Sequence, residues 1–122
     1  MSQSDFASLG LNPALVDNLA SLGYTAMTPI QAQALPPILV KKDVIAKAKT
    51  GSGKTATFAL GLLHNLDVKR FRVQTLVLCP TRELADQVAV EIRKIARGIH
   101  NVKVLTLCGG MAFGPQVGSL EH

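Results

Sequence analysis

The sequence predicts an α/β fold, a parallel sheet flanked by helices, and three observations carry that reading. The glycine-rich run Ala48-Lys49-Thr50-Gly51-Ser52-Gly53-Lys54-Thr55 sits between a strand-like and a helix-like segment. Thr75-Leu76-Val77-Leu78-Cys79 is an unbroken run of the kind that a parallel sheet buries on both faces. Strand-like and helix-like segments also alternate through short connections, the sign of right-handed βαβ units.

Each element has its own signals. Asn12-Pro13 followed by Leu15, Val16, Leu19 and Leu22, then Gly23, reads as a capped helix with proline in its first turn and glycine past its end. A second, short helix starts at Thr28-Pro29 and is interrupted by Pro36-Pro37. The polar turn Lys41-Lys42-Asp43 leads into a first strand, 44–49, and the glycine-rich loop opens a helix over 56–66. A second strand, 75–79, is followed by a long helix from Pro80-Thr81 to about Arg97, with Leu84, Val88, Ile92 and Ile95 on one stripe and Gly98 beyond. The third strand, 102–108, stops at Gly109-Gly110.

The bulk numbers bound what such a chain does. With 122 residues, 48% hydrophobic and 17% charged, it is at most one globular domain, and short for a complete nucleotide-hydrolysing α/β domain, so a truncated domain is expected. No apolar run approaches the roughly 20 residues of a membrane span. The start Met1-Ser2-Gln3-Ser4-Asp5 has no basic segment leading into an apolar core, which points to a cytoplasmic protein. Cys79 and Cys108 each close a β-like run and form no Cys-x-x-Cys pair, as expected of buried thiols in a reducing compartment. The net charge of +5 favours a polyanionic partner.

The glycine-rich loop carries the most specific chemistry. Its second half completes the phosphate-loop pattern, Gly-Lys-Ser/Thr, while Ala48 stands where the pattern begins with glycine. Gly51 and Gly53 allow consecutive N–H groups from Thr50 to Ser52 to turn toward an anion at a helix start. Lys54 is placed to reach the β/γ-phosphates, and the Thr55 hydroxyl to ligate a magnesium ion bridging them. The expected ligand is a nucleoside triphosphate.

Upstream, Gly23-Tyr24 and Thr28-Pro29-Ile30-Gln31 admit two readings. The Gln31 amide can pair with adenine through one donor and one acceptor, or Thr28 and Gln31 can form a capping box at the helix start. Tyr24 and Phe6 offer aromatic surfaces to cover a base or to fill the core. Pro80-Thr81-Arg82 opens a helix after a buried strand, where ligands gather in open α/β sheets, and can hold a sugar-phosphate backbone; a simple helix cap and surface ion pair is the alternative. Gly109-Gly110 permits close approach of an RNA backbone or makes a plain turn.

In this order the motifs resemble the N-terminal part of a DEAD-box RNA helicase. Phe6 stands seventeen positions before Gly23, like that family's isolated upstream aromatic, within a Q motif spanning about 4–32 that includes Thr28 and Gln31. Residues 48–55 match motif I with its alanine, 80–85 match motif Ia, and 109–110 match the GG element. The stretches Leu78-Cys79-Pro80 through Gln87-Val88, Leu107 to Gly110 and Phe113-Gly114 look like the bacterial ribosome-assembly branch. The resemblance implies a P-loop, RecA-like domain 1 of an ATP-dependent enzyme that separates short RNA duplexes, with ATP and magnesium as cofactors and RNA, ribosomal in that branch, as the expected partner.

No apolar strand here ends in Asp-Glu-Ala-Asp, and a second domain with its arginine finger is absent, so these residues alone are expected not to turn over ATP. A sheet cut after its third strand would expose an edge open to self-association. Two other readings stand beside the helicase: a non-catalytic nucleotide- or RNA-binding module, and a small P-loop kinase, for which only residues 114–122 remain as a lid. The ending Leu120-Glu121-His122 is either natural sequence or the start of a histidine tag.

Overall fold

Helix-forming segments with caps at their ends set the framework. The computed structural model describes residues 5–121; residue 4, where the Q-motif span begins, and His122 lie outside them. A 3₁₀ turn, Phe6–Leu9, is followed by α1 (Pro13–Ser21), α2 (Pro29–Leu39), α3 (Lys54–His64), α4 (Arg82–Ala96) and α5 (Phe113–Glu121).

The caps are those the sequence specifies. Asn12 Oδ1 accepts from the Ala14 N–H at 3.0 Å to start α1, and Thr81 Oγ1 accepts from the Leu84 N–H at 3.1 Å to start α4. Helix α3 packs between α2 and α4, while α1 packs on α4. Leu15 and Leu19 of α1, Leu35 of α2, Leu60 of α3 and Ile95 of α4 meet in one core at 0–1% exposure. Full burial of such a side chain stabilises the fold by about 1.5–3 kcal/mol each. The Asn18 amide adds a polar tie, donating to the Lys94 and Ile95 carbonyls at 2.8 and 2.9 Å, in the last turn of α4, where carbonyls lack helical donors.

Two expectations about helix bounds are corrected. Pro36 and Pro37 do not interrupt α2, which continues to Leu39. Packing decides the outcome: Gln31, Ala34 and Leu35 form its buried face, and α2 approaches α3 so closely that a Cβ on Gly61 would lie 2.2 Å from Ile38 Cγ2. Helix α3 begins two residues earlier than expected, directly on the phosphate loop. Helix α5, which follows segment 102–108, has no buried residue and so left little periodic signal in the sequence.

The expected sheet is the part of the fold that the described residues do not show. Among the described residues, 44–49, 75–79 and 102–108 form no strand ladder. They keep the alternation of strands: Val77, Cys79, Val102 and Val104 pack on the helical core, whereas Leu76, Leu78 and Leu107 face outward at 75%, 84% and 51% exposure. Parallel strands must bond to neighbours brought in by long crossovers. Val44 and Ala46 of the first segment and Thr75 to Cys79 of the second line one open cleft.

Candidate nucleotide-binding site

The phosphate loop owes its shape to two residues in the left-handed region, Gly51 at φ 82° and Gly53 at φ 91°. Gly53 is required twice over. A Cβ there would lie 2.3 Å from Gln31 Nε2, so no side chain fits between the loop and α2. The Gly53 carbonyl is the hub of the arrangement, accepting from the Thr57 N–H at 3.0 Å, the Thr57 hydroxyl at 2.8 Å and Gln31 Nε2 at 3.3 Å. Ser52 closes the loop from the other end, its N–H reaching the Lys49 carbonyl at 3.2 Å. Lys54 Nζ donates to the Ala48 carbonyl, so its ammonium lies across the loop mouth.

The capping-box reading of Gln31 is present in the structure, together with a bond to the phosphate loop. Its Oε1 accepts from the Thr28 N–H at 2.9 Å, the side-chain half of a capping box, while Nε2 reaches the phosphate loop. The amide is 1% exposed and, among the described residues, retains one unused N–H and one unused lone pair. The Thr28 hydroxyl is buried with no hydrogen-bond partner among the described residues. Such a group is costly unless something bonds it.

A cleft of about 1450 Å³ gathers Tyr24, Thr28, Gln31, Thr50, Gly51, Gly53, Lys54 and Thr55. Ser52 lies beside it on the same loop. Phe6 does not reach it; at 2% exposure it belongs to the core with Leu11, Leu15 and Leu19, the second of its two sequence readings. Among the described residues no three His, Cys, Asp or Glu side chains gather as metal ligands. The Thr55 hydroxyl is one hard oxygen at the cleft, of the kind that magnesium prefers.

The RNA-facing candidates form a separate group. Pro80, Thr81 and Arg82 are exposed at the start of α4, and Arg82 Nη1 donates to the Gly109 carbonyl at 3.4 Å. Gly110, at φ 78°, lies so close that a Cβ would stand 2.9 Å from Arg82 Nη1. Two motifs 27 residues apart thus share one exposed corner.

Two residues with site contacts were not singled out from the sequence. Thr57 is buried and bonds the loop carbonyl. Glu91 of α4 lines the cleft and accepts a short hydrogen bond from the Tyr24 hydroxyl. Burial, then that bond and the nearby carboxylate charge, push the Tyr24 phenol from its ordinary 10 up to about 12. The signal for Glu91 was its register: it follows Leu84 by seven residues and Val88 by three, a carboxylate on the edge of the apolar stripe.

The DEAD/DEAH box helicase family model matches residues 28–122. The chain belongs to that family. It is 62% identical to the ATP-dependent RNA helicase DbpA of Escherichia coli (strain K12) over 112 residues, 92% of this chain and 24% of that protein. A DEAD box protein from the hyperthermophile Methanococcus jannaschii superposes with a TM-score of 0.90 at 36% identity, covering 96% of this chain and 32% of that one. The RNA helicase Prp28 from Chaetomium thermophilum, solved with ADP, gives 0.81 at 38% identity over 95% of this chain and 29% of that one. The chain thus spans about a quarter of the length of the curated relative. Its fold is that of the P-loop, RecA-like domains of DEAD-box proteins, and no strand ladder is present among the described residues. Among the described residues no helix is long and apolar enough to cross a membrane.

Proposed function

We propose that this chain is the ATP- and RNA-binding portion of a cytoplasmic DEAD-box RNA helicase that remodels ribosomal RNA during ribosome assembly. The observation that carries the nucleotide reading is the bond from Gln31 to the Gly53 carbonyl, which joins the base-reading amide to the phosphate cradle in one site. In this reading Thr50 to Thr55 hold the phosphates, with Lys54 exchanging its Ala48 carbonyl for phosphate oxygen and Thr55 meeting magnesium. Gln31, with Thr28 and Tyr24 beside it, selects adenine. Pro80, Thr81, Arg82, Gly109 and Gly110 touch the RNA backbone, where the start of α4 favours an anion. Likeness to DbpA over 92% of the chain supports the ribosomal assignment. Hydrolysis is not assigned to these residues alone.

Calorimetric titration with ADP and GDP tests the site. ADP is expected to bind in preference, Gln31→Ala to erase the preference, and Lys54→Ala to weaken both nucleotides by at least about tenfold, the loss of a charge-assisted contact. Equal binding of ADP and GDP by the unaltered chain would remove the adenine reading and leave a generic phosphate loop.

A further inference from the structure

A line of contacts runs from the middle of α4 to the phosphate loop. Glu91 accepts from the Tyr24 hydroxyl. Tyr24 lies four residues before Thr28, and its N–H bonds the Leu19 carbonyl at 3.0 Å, which fixes the start of the turn on α1. At the other end of that turn the Thr28 N–H holds Gln31 Oε1, and Gln31 Nε2 holds the Gly53 carbonyl. Tyr24, Thr28, Gln31, Gly53 and Glu91 all line the same cleft. No contact between Glu91 and the phosphate loop itself occurs among the hydrogen bonds of the described residues, so its influence passes through Tyr24.

We propose that Glu91 is a positioning residue for the base side of the nucleotide site, pinning through Tyr24 the turn from which Thr28 and Gln31 reach the phosphate loop. This inference rests on Gln31 reading the base. The geometry separates two functions that a phosphate loop alone would merge. Affinity for phosphate depends on residues 50–55, whose hydrogen bonds do not involve Glu91, whereas discrimination of the base depends on where the Gln31 edge stands. Placement errors of about an ångström suffice to weaken a bidentate contact, because both hydrogen bonds need near-linear geometry. The anchor is itself well held: α4 buries Val88 and Ile92 on either side of Glu91, and the Asn18 amide ties its last turn to α1. The tie therefore links the turn to a rigid element.

The chain has one tyrosine and no tryptophan, so phenol absorbance reads this contact without interference. In the full chain, Glu91→Ala is expected to lower the Tyr24 titration by the share that the bond and the charge supply, while burial, the larger cause, keeps it above the ordinary tyrosine value. Glu91→Gln, which keeps an acceptor but not the charge, should bring it part of the way. Affinities for ADP, GDP and inorganic pyrophosphate, measured for the same variants and for Tyr24→Phe, test the function. Tyr24→Phe and Glu91→Ala should each cut the ADP-over-GDP preference about tenfold, as for a lost hydrogen bond to a charged group, with pyrophosphate affinity within about twofold. Glu91→Gln should retain most of the preference, and the double variant should lose no more than either single one. If Glu91→Ala also loses pyrophosphate binding, the helix has been disturbed generally, and Tyr24→Phe, which removes one oxygen, decides. An unchanged preference in Tyr24→Phe overturns the positioning role while leaving the adenine reading intact. A lack of preference in the unaltered chain defeats the adenine reading first, and this inference with it.

Discussion

The helical half of this molecule and its three strand-like segments come from one sequence, yet only the first completes its own bonding. Helices α1 to α4 satisfy their backbones internally, cap their ends with Asn12 and Thr81, and bury Leu15, Leu35, Leu60 and Ile95 together. Segments 44–49, 75–79 and 102–108 are also largely apolar but carry no ladder among the described residues, and Ile45 and Leu78 stand 94% and 84% exposed. A helix closes its hydrogen bonds within four residues, whereas a parallel strand depends on a partner remote in sequence. The phosphate loop lies on the seam between these regimes, so its shape is set from the helical side, by Gln31 and Thr57.

The largest expected effect contrasts the two regions directly. Leu60→Ala should lower stability in denaturant unfolding by about 2–5 kcal/mol, and Leu78→Ala by no more than about 0.5 kcal/mol. Comparable losses at both positions would mean that the outward faces of the segments are as well packed as the helices. A smaller effect lies on the seam. Gly53→Ala forces a side chain to φ 91° and against Gln31, and should cost about 1–3 kcal/mol of stability together with nucleotide affinity. Loss of nucleotide binding at unchanged stability would show that the loop does not lean on α2. The smallest effect is a pH dependence within the helical half. With its phenol held at about 12 instead of 10, Tyr24 contributes stability that is complete below the ordinary value and is lost as pH rises through the native one. Unfolding midpoints should therefore fall over that alkaline window in the unaltered chain, and less steeply in Tyr24→Phe.

The same division explains what the sequence disclosed. Asn12-Pro13, Thr81 and the apolar stripe of α4 were legible because capping and helical periodicity are local. The phosphate loop was legible because its glycines and Lys54 answer to a fixed geometry. Pro36 and Pro37 misled, since their helix is held by packing on α3 that no local rule contains. Phe6 had an ambiguous pattern, and its burial depends on α1 folding over it. Glu91 was unremarkable in the sequence, because its partner Tyr24 lies 67 residues away. The strand-like segments were recognised by composition, but pairing is a property of neighbours, which composition does not supply.

The central claim is that the base-reading turn and the phosphate loop act as one site. Amide hydrogen exchange of the full chain, with and without saturating ADP, tests this most directly. The account predicts slower exchange in both 28–31 and 50–57 when ADP binds, with 102–108 unaffected, and protection of 28–31 lost in Gln31→Ala. Protection confined to 50–57, with 28–31 exchanging as before, would contradict it.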